Sequence, residues 1–207
     1  MLVTFPAWNP VVLHWGMFRL KTHAGSFADL TESLAPFEIV EAHDGADTSV
    51  AVIRDTRTDN LYLKVNGKTD AGTGQDMTTQ LWLGHLGPLL NPDAREVLVI
   101  GLGSGVTAGS VLSHPDTHVD MVQISQAVVD AARWFAPYNG DALNNPRLTM
   151  HVGDAKEFFR LRPDARYDVV VSEPSNPWIS GIGNLFSLQY FRDISAHLAP
   201  GGLLVQW

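Results

Sequence analysis

The chain has 207 residues, contains no cysteine and carries a formal net charge of −8 at pH 7. The absence of cysteine excludes disulfides and thiolate metal sites, and the acidic balance disfavours a nucleic-acid partner while mildly favouring a cationic substrate. Apolar residues make up 45% of the sequence and charged residues 17%, as in ordinary globular proteins. No apolar run is long enough to predict a membrane span, and no basic segment precedes the apolar start, so no signal peptide is predicted.

The first third of the chain predicts a small β domain preceded by an irregular N-terminal arm. The arm covers residues 1–36 and includes a short helix over Ala28–Leu34. Three β-like runs separated by turn-rich breaks predict an antiparallel meander in a domain over residues 37–76. These runs are Phe37–Ala42, Thr48–Arg54 and Asn60–Val65. The polar, glycine-containing stretch Lys68–Asp76 predicts a loop, and Met77–Leu90 predicts a long apolar helix.

Residues 77–207 predict a Rossmann-like α/β domain. Short apolar runs alternate with helical segments, which is typical of a parallel sheet with helices on both faces. The predicted strands are Val97–Ile100, Val119–Ile124, Leu148–Val152, Tyr167–Ser172 and Leu203–Trp207, and the predicted helices are Val106–His114, Gln126–Phe135, Ala155–Leu161 and Ser187–Leu198. Such sheets bind ligands at the carboxyl ends of their strands, so the loops after the strands form the candidate site.

A glycine-rich loop follows the first strand of this domain. Gly101, Gly103 and Gly105 let the backbone turn sharply and let a ligand approach it closely. The pattern lacks the third glycine of the dinucleotide fingerprint because Val106 follows Gly105, and neither a Walker lysine nor a G-x-S-x-G motif is present. A nucleotide-type ligand loop and a tight turn without a ligand both fit the glycines alone.

Polar residues follow the other strands. Gln123 can hydrogen-bond a ribose hydroxyl without charge assistance, and Asp154 can accept from an adenine amino group. Glu173, in the proline-stiffened run SEPSNPW, can take a proton from an attacking nucleophile or pair with a cationic substrate. The alternative for that run is a capping loop whose Ser and Asn side chains satisfy its own backbone. Asp70 and Asp76 either face the site from above or are solvated loop carboxylates.

The sequence resembles the spermidine synthase (polyamine aminopropyltransferase) family from about Phe37 to its end. The resemblance is carried by the run LKVNGKTDAGTGQDMTTQLWLGHLGPLLNPDAREVLVIGLGSGVTAG, then by VQIS, HVGDA and SEPSNPW with LF at 185–186. The combination is specific, although no single motif is. The sequence is most similar to a bacterial spermidine synthase-like branch that is often fused to membrane-transporter-like segments, through SEPSNPW and the stretch WNPVVLHWG from Trp8.

This resemblance implies an N-terminal β domain followed by a Rossmann-like domain of the S-adenosylmethionine-dependent methyltransferase type. It implies transfer of an aminopropyl group from decarboxylated S-adenosylmethionine to an amine such as putrescine, with release of methylthioadenosine and no metal. The Gly101–Gly105 loop would then hold the nucleoside, with Gln123 at its ribose, Asp154 at its adenine and Glu173 as the base on the attacking amine. The substrate-side positions implied by the resemblance are Asp70, Asp76, Asn176 and Tyr190. A cytoplasmic location is expected, and a homodimer is compatible with the resemblance.

Several positions depart from the family pattern. The family loop GGGDGG is GLGSGV here, so Ser104 replaces an aspartate that anchors the cofactor amine, and Gln123 replaces a ribose-binding glutamate. The family motif DSSDP is EPSNP, which lengthens one aspartate to Glu173 and neutralises a second to Asn176. Losing a charge-assisted hydrogen bond costs about 1–3 kcal/mol, so these changes lower the expected affinity for a polyamine or an aminopropyl ammonium.

Two other functions stay open at this point. An S-adenosylmethionine-dependent methyltransferase fits because Ser104 removes a negative charge near the carboxylate of that cofactor. A domain of a membrane protein that senses a nucleoside or a polyamine without turnover fits the neutralised acidic positions. No metal is predicted, because Pro115 breaks any helix shared by His114 and His118. The last run, LLVQW, predicts a fifth strand where methyltransferase-like sheets continue with two more, so a truncated domain is expected.

Overall fold

The computed structural model describes residues 9–16, 26–46, 48–175 and 182–207. The chain divides into two compact units, Met1–Gly74 and Gln75–Trp207. The first unit contains helices α1 (Pro10–His14) and α2 (Phe27–Leu34) and strands β1 (Phe37–Asp44), β2 (Ser49–Asp55), β3 (Asn60–Val65) and β4 (Lys68–Gly72). The four strands form one antiparallel sheet in the order β1-β2-β3-β4. The predicted meander is therefore present, with one strand more than predicted.

The extra strand corrects the loop predicted over Lys68–Asp76. Asn66 and Gly67 adopt φ angles of +50° and +75°, and this left-handed pair reverses the chain so that Lys68 pairs with Val65. Such a two-residue turn matches the twist of a hairpin. The Asn66–Gly67 turn therefore places Lys68–Gly72 in a strand, although several of these residues are polar.

The second unit is built on a five-stranded parallel sheet. Its helices are α3 (Asp76–Leu90), α4 (Val106–Leu112), α5 (Gln126–Ala132), α6 (Ala136–Asn139), α7 (Ala155–Leu161) and α8 (Leu188–His197), and its strands are β5 (Glu96–Ile100), β6 (His118–Gln123), β7 (Leu148–Val152), β8 (Tyr167–Ser172) and β9 (Leu198–Gln206). The strand order is β7-β6-β5-β8-β9, and every neighbouring pair is parallel. The chain thus moves outward from β5 to β7 and then crosses back to β8, which makes β5 and β8 the switch point of the sheet. The predicted α/β fold class is confirmed.

The sheet is covered on both faces by apolar side chains. Val97, Leu98 and Val99 in β5 have no exposed surface, as expected for a β-branched strand buried on both sides. One face packs against α4 and α5, and the other packs against Phe158 and Phe159 of α7 and the residues of α8. The core holds the strands rigidly, so the loops at their carboxyl ends start from fixed positions.

Several predicted boundaries differ from the structure. Helix α4 ends at Leu112, two residues before the predicted end at His114, because the chain turns ahead of Pro115. The predicted helix Gln126–Phe135 divides into α5 and a 3₁₀ turn over Arg133–Phe135. Strand β9 already begins at Leu198, and β6 ends at Gln123. Within the ranges that the structure describes, the helices are too short or too polar to cross a membrane.

Candidate active site

The loop after β5 requires glycine at three positions. Gly101, Gly103 and Gly105 adopt φ angles of +97°, +51° and +80°, in a region that other L residues rarely adopt. A Cβ atom added at Gly101 would lie 2.7 Å from the carbonyl oxygen of Glu173. The loop after β5 therefore packs directly against the residue that follows β8, and a side chain at Gly101 would push the two apart.

Glu173, the first residue beyond β8, has a buried carboxyl group. Its backbone N–H donates to the carbonyl oxygen of Ile100 at 2.8 Å, which fixes Glu173 beside the end of β5. Its Oε1 atom has no exposed surface and no hydrogen-bond partner among the described residues. Burial raises the pKa of the Glu173 carboxyl group to about 7, and a hydrogen bond with Thr107 opposes part of that rise. A carboxyl group with this pKa can take up or release a proton near neutral pH.

Gln123 and Asp154 lie at the carboxyl ends of the two neighbouring strands. The backbone N–H of Gly153 donates to the carbonyl oxygen of Gln123 at 2.9 Å, so the loops after β6 and β7 are joined. Gln123 is half-buried, and its Oε1 accepts from the N–H of Ser125 at 3.3 Å. Asp154 is exposed and caps α7, because its Oδ1 accepts from the N–H groups of Lys156 and Glu157 at 2.7 and 3.2 Å. These two polar side chains border one edge of the candidate site.

The structure places Ser104 inside the protein and not at the mouth of the loop. Only 1% of the residue is exposed, and its hydroxyl donates to Oε1 of Gln80 on α3. Its carbonyl oxygen accepts from Nδ2 of Asn139 at 2.9 Å. This is a correction to the expectation that Ser104 faces the cofactor, since its side chain instead ties the glycine loop to α3.

Of the four predicted substrate-side residues, the structure describes Tyr190 and Asp76 in the parallel-sheet unit. Tyr190 is a core residue with no exposed surface, and burial raises its pKa to about 12. Its hydroxyl forms a 2.9 Å hydrogen bond with Oγ of Ser172, the residue before Glu173, so it supports the site from behind and does not line it. Asp76 is exposed at the start of α3. Asp70 belongs to the other compact unit, where it lies on β4 paired with Lys68, and Asn176 lies outside the described residues.

Two residues near Glu173 were missed by the sequence analysis. Gln206 pairs with Ser172 across β8 and β9, and its Oε1 is buried without a hydrogen-bond partner among the described residues. Thr107, the second residue of α4, is 2% exposed and donates to the backbone carbonyl of Gln80 at 3.0 Å, and its hydroxyl opposes part of the rise in the pKa of Glu173. The signal for Gln206 was present, because a polar residue at the carboxyl end of an apolar strand falls where such sheets bind ligands.

The arrangement offers a proton acceptor beside a ligand loop. Two buried side-chain oxygens, one on Glu173 and one on Gln206, have no partner within the described part of the chain. Unpaired buried acceptors are rare and costly, so they mark places where a ligand can donate hydrogen bonds. The described residues contain no group of three potential metal-ligating side chains.

The fold and the site together define a class of protein. A parallel sheet of this order, with a glycine loop after its central strand and polar side chains at the following strand ends, is a Rossmann-like α/β domain of the methyltransferase type. The chain belongs to the spermine/spermidine synthase family, since the family described as "Spermine/spermidine synthase domain" matches residues 77–206. The predicted family resemblance is thereby confirmed.

Curated relatives are similar in sequence to much of this chain. A protein named spermidine synthase from Dictyostelium discoideum is 28% identical over 168 residues, which is 81% of this chain and 58% of the relative. A protein named putrescine N-methyltransferase 1 from Nicotiana tabacum is 35% identical over 130 residues, which is 62% of this chain and 33% of the relative. The chain therefore spans between a third and about three fifths of the length of these curated relatives.

Solved structures confirm the fold. A crystal structure of a spermidine synthase in complex with the transition-state analogue AdoDATO has a TM-score of 0.74 at 19% identity, and the match covers 81% of this chain and 57% of that one. A crystal structure of spermidine synthase from Thermotoga maritima has a TM-score of 0.72 at 18% identity, covering 81% and 56%. At this level of identity the comparison establishes a shared architecture and leaves the chemistry to be argued from the residues.

Proposed function

We propose that this chain carries the catalytic domain of an aminopropyltransferase, and Glu173 is the observation that carries the proposal. Its carboxyl group is buried, its pKa lies near 7, and its Oε1 has no partner among the described residues. It stands at the carboxyl end of β8, against the loop that the family resemblance assigns to the nucleoside. A general base requires this combination of proton affinity near neutral pH and a free oxygen facing a ligand site.

The proposed reaction needs little covalent help from the protein. The amine nitrogen attacks the methylene carbon next to the sulfonium of decarboxylated S-adenosylmethionine, a C–N bond forms, and the C–S bond breaks with its electron pair passing to sulfur. The products are methylthioadenosine and the lengthened amine. The attacking nitrogen loses a proton, which passes to Glu173. The chain contributes mainly by positioning the two substrates and by removing the amine proton.

The binding roles follow the strand ends. Gln123 would hold the ribose through neutral hydrogen bonds, and Asp154 would accept from the adenine amino group with Oδ2, since its Oδ1 already caps α7. The second unpaired oxygen, on Gln206, would accept from the other N–H of the amine. Asp70, Asp76 and Asn176 remain candidates for the distal end of a polyamine, in agreement with the acidic net charge of the chain.

The test is the identity of the nucleoside product. The purified chain is incubated with putrescine and either decarboxylated S-adenosylmethionine or S-adenosylmethionine, and the products are identified by mass spectrometry. We expect methylthioadenosine from the decarboxylated compound and no S-adenosylhomocysteine from the other. The Glu173→Gln variant should lose about 10²- to 10⁴-fold in rate. The matched control is Glu157→Gln, which removes an exposed carboxylate paired with Arg160 and should keep wild-type activity.

Two results would contradict the proposal. Formation of S-adenosylhomocysteine would assign the chain to methyl transfer, the activity in the name of the Nicotiana relatives. Binding of methylthioadenosine in calorimetry, without product from either cofactor, would assign it to nucleoside sensing.

A further inference from the structure

Asn139 is a buried polar side chain that lies against the glycine loop. Only 3% of the residue is exposed. Its Nδ2 donates to the carbonyl oxygens of Ser104 and Ala132 at 2.9 and 3.4 Å, and its Oδ1 accepts from the N–H of Ala142 at 3.2 Å. The amide therefore uses both of its donor hydrogens and its acceptor inside the protein. Burying an amide is costly unless these bonds form, so the side chain is held in one orientation.

The chain on either side of Asn139 is shaped to present this side chain. Helix α6 ends at Asn139, and Gly140 and Asp141 follow with φ angles of +64° and +55°. These two left-handed residues reverse the chain, and this brings the N–H of Ala142 back to Oδ1 of Asn139. Because the side chain closes the turn that carries it, Nδ2 points at the glycine loop from a fixed base.

Two glycines make room for Asn139. A Cβ atom added at Gly105 would lie 2.9 Å from Nδ2 of Asn139, and one added at Gly109 would collide with its backbone carbonyl oxygen. Gly109 lies within α4, where glycine is a poor helix former, so the close approach of Asn139 explains why a glycine stands there. Both the loop and the helix that follows it are therefore built around this one residue.

The peptide unit between Ser104 and Gly105 is fixed at both ends. Its carbonyl oxygen accepts from Asn139, and its N–H donates to the carbonyl oxygen of Leu102 at 2.8 Å. The Ser104 hydroxyl donates to Oε1 of Gln80 on α3, so α3 holds the side chain of Ser104 while Asn139 holds its backbone. Of these ties, the one from Asn139 sets the direction of the loop backbone before the chain enters α4.

We propose that Asn139 is a positioning residue for the nucleoside, and that its amide holds the Ser104–Gly105 peptide in the orientation in which the glycine loop binds that ligand. The assignment of a nucleoside to this loop rests on the proposed function. A loop that is already ordered loses less conformational freedom on binding, so the contribution of Asn139 falls on nucleoside affinity. The proton acceptor Glu173 is not among the hydrogen-bond partners recorded for Asn139, so the rate at saturation should depend on it much less.

The experiment is calorimetric titration with methylthioadenosine at pH 8. Asn139→Asp keeps the shape and the acceptor for Ala142, but an ionised carboxylate cannot donate to Ser104 and its oxygen repels that carbonyl. We expect its Kd to rise about tenfold or more. The matched control is Asn144→Asp, which adds the same charge five residues further on at an exposed position and should keep the wild-type Kd.

A change of pH separates positioning from general stability. When the substituted carboxyl group is protonated, its O–H can donate to the Ser104 carbonyl as the amide does. The Kd of Asn139→Asp relative to wild type should therefore fall toward one as the pH is lowered from 8 to 5. Thermal unfolding at both pH values shows how much stability changes, and a merely structural role would lower Tm while leaving the Kd of the folded protein unchanged. If Asn139→Asp does not fold, Asn139→Ala removes the same donor without adding charge and should also weaken binding.

The proposal is overturned if folded Asn139→Asp and Asn139→Ala bind methylthioadenosine as wild type does, or if Asn144→Asp weakens binding equally. Transferase assays keep this result distinct from the proposed function. Nucleoside binding that weakens in Asn139→Asp, in a chain that forms no product, would remove the aminopropyl transfer and leave the role of Asn139. Product formation with an unchanged Kd in Asn139→Asp would do the reverse. A wild-type chain that binds no nucleoside would overturn both proposals.

Discussion

Two acidic side chains of the parallel-sheet unit differ in how their oxygens are used. Asp120, on β6, accepts from the hydroxyl of Tyr167 with Oδ2 at 2.8 Å, and its Oδ1 lies 2.8 Å from Nε2 of His151 on β7. Both of its oxygens are therefore satisfied by the protein. Glu173, one residue beyond β8, leaves Oε1 buried without a partner among the described residues.

The difference follows from where each residue lies along its strand. Asp120 lies in the body of β6, where side chains from neighbouring strands reach it, and burial together with Asp120 raises the pKa of Tyr167 so that this hydroxyl remains a donor. Glu173 lies past the strand end, where no side chain of the described residues reaches its Oε1. An unpaired buried acceptor costs about 1–3 kcal/mol, which a ligand recovers when it donates to that oxygen. A fully partnered carboxylate is thus structural, and a half-partnered one is a candidate for chemistry.

The largest expected effect separates the two residues by activity. Glu173→Gln should lower kcat by about 10²- to 10⁴-fold, because the substitution removes the proton acceptor. Asp120→Asn keeps the shape of the side chain at a position without an unpaired oxygen, and we expect its kcat to stay close to wild type. Steady-state kinetics with decarboxylated S-adenosylmethionine measures both. Equal losses in the two variants would show that the unpaired oxygen is not what distinguishes Glu173.

The next effect is a pH dependence of stability with a defined sign. The Glu173 carboxyl group has a pKa of about 7 in the folded chain and an ordinary value of 4.5 when unfolded. A group whose folded pKa is raised stabilises the fold below the unfolded value, and that stability is lost as pH rises through the folded value. Between pH 4 and pH 8 the wild type should therefore lose about 3 kcal/mol relative to Glu173→Gln. Urea unfolding of both proteins across this range measures the difference. If the unfolding free energies of the two proteins had the same pH dependence, the pKa of Glu173 would not be raised by burial.

A smaller loss is expected at Asp120. Asp120→Ala leaves the Tyr167 hydroxyl and the His151 ring without their acceptor, so the free energy of unfolding should fall by about 2 kcal/mol. The matched control is Asp130→Ala on α5, where the carboxylate lies 3.9 Å from Arg133 at the protein surface and should cost under about 1 kcal/mol. Urea denaturation at pH 7 measures both variants. If Asp120→Ala lost no more stability than Asp130→Ala, the hydrogen bonds of Asp120 would not stabilise the fold.

The strands and loops that surround this site could be predicted from the sequence, because short apolar runs and glycines have recognisable patterns. Leu148–Val152 and Tyr167–Ser172 were predicted to the residue, since each is a short run bounded by turn-forming residues. Gly101 and Glu173 were placed correctly at the ends of β5 and β8, because the parallel sheet puts these ends side by side. The predictions that depended on the parallel direction of the strands therefore agreed with the structure.

Side-chain direction was the part that sequence could not supply. Ser104 was expected to face a ligand, yet its hydroxyl meets Gln80, a residue 24 positions earlier on another helix. Strand β4 was missed because its residues are mostly polar and do not have the alternating pattern of a strand. The Asn66–Gly67 turn nevertheless pairs it with β3. The burial of Tyr190 could have been foreseen, since Ile194 follows at the spacing of one helix face and both side chains are fully buried.

The smallest expected effect concerns the close contact between α3 and α4, the helix that follows the glycine loop packed against Glu173. Gly84→Ala gains about 1 kcal/mol of helix propensity but forces backbone atoms of α4 to move, so a net loss of about 1 kcal/mol in unfolding free energy is expected. The control is Gly153→Ala, where an added Cβ meets no atom within 4 Å and stability should hardly change. Urea denaturation at pH 7 measures both variants. Equal unfolding free energies for Gly84→Ala and Gly153→Ala would show that the close approach of α3 to α4 does not constrain the fold.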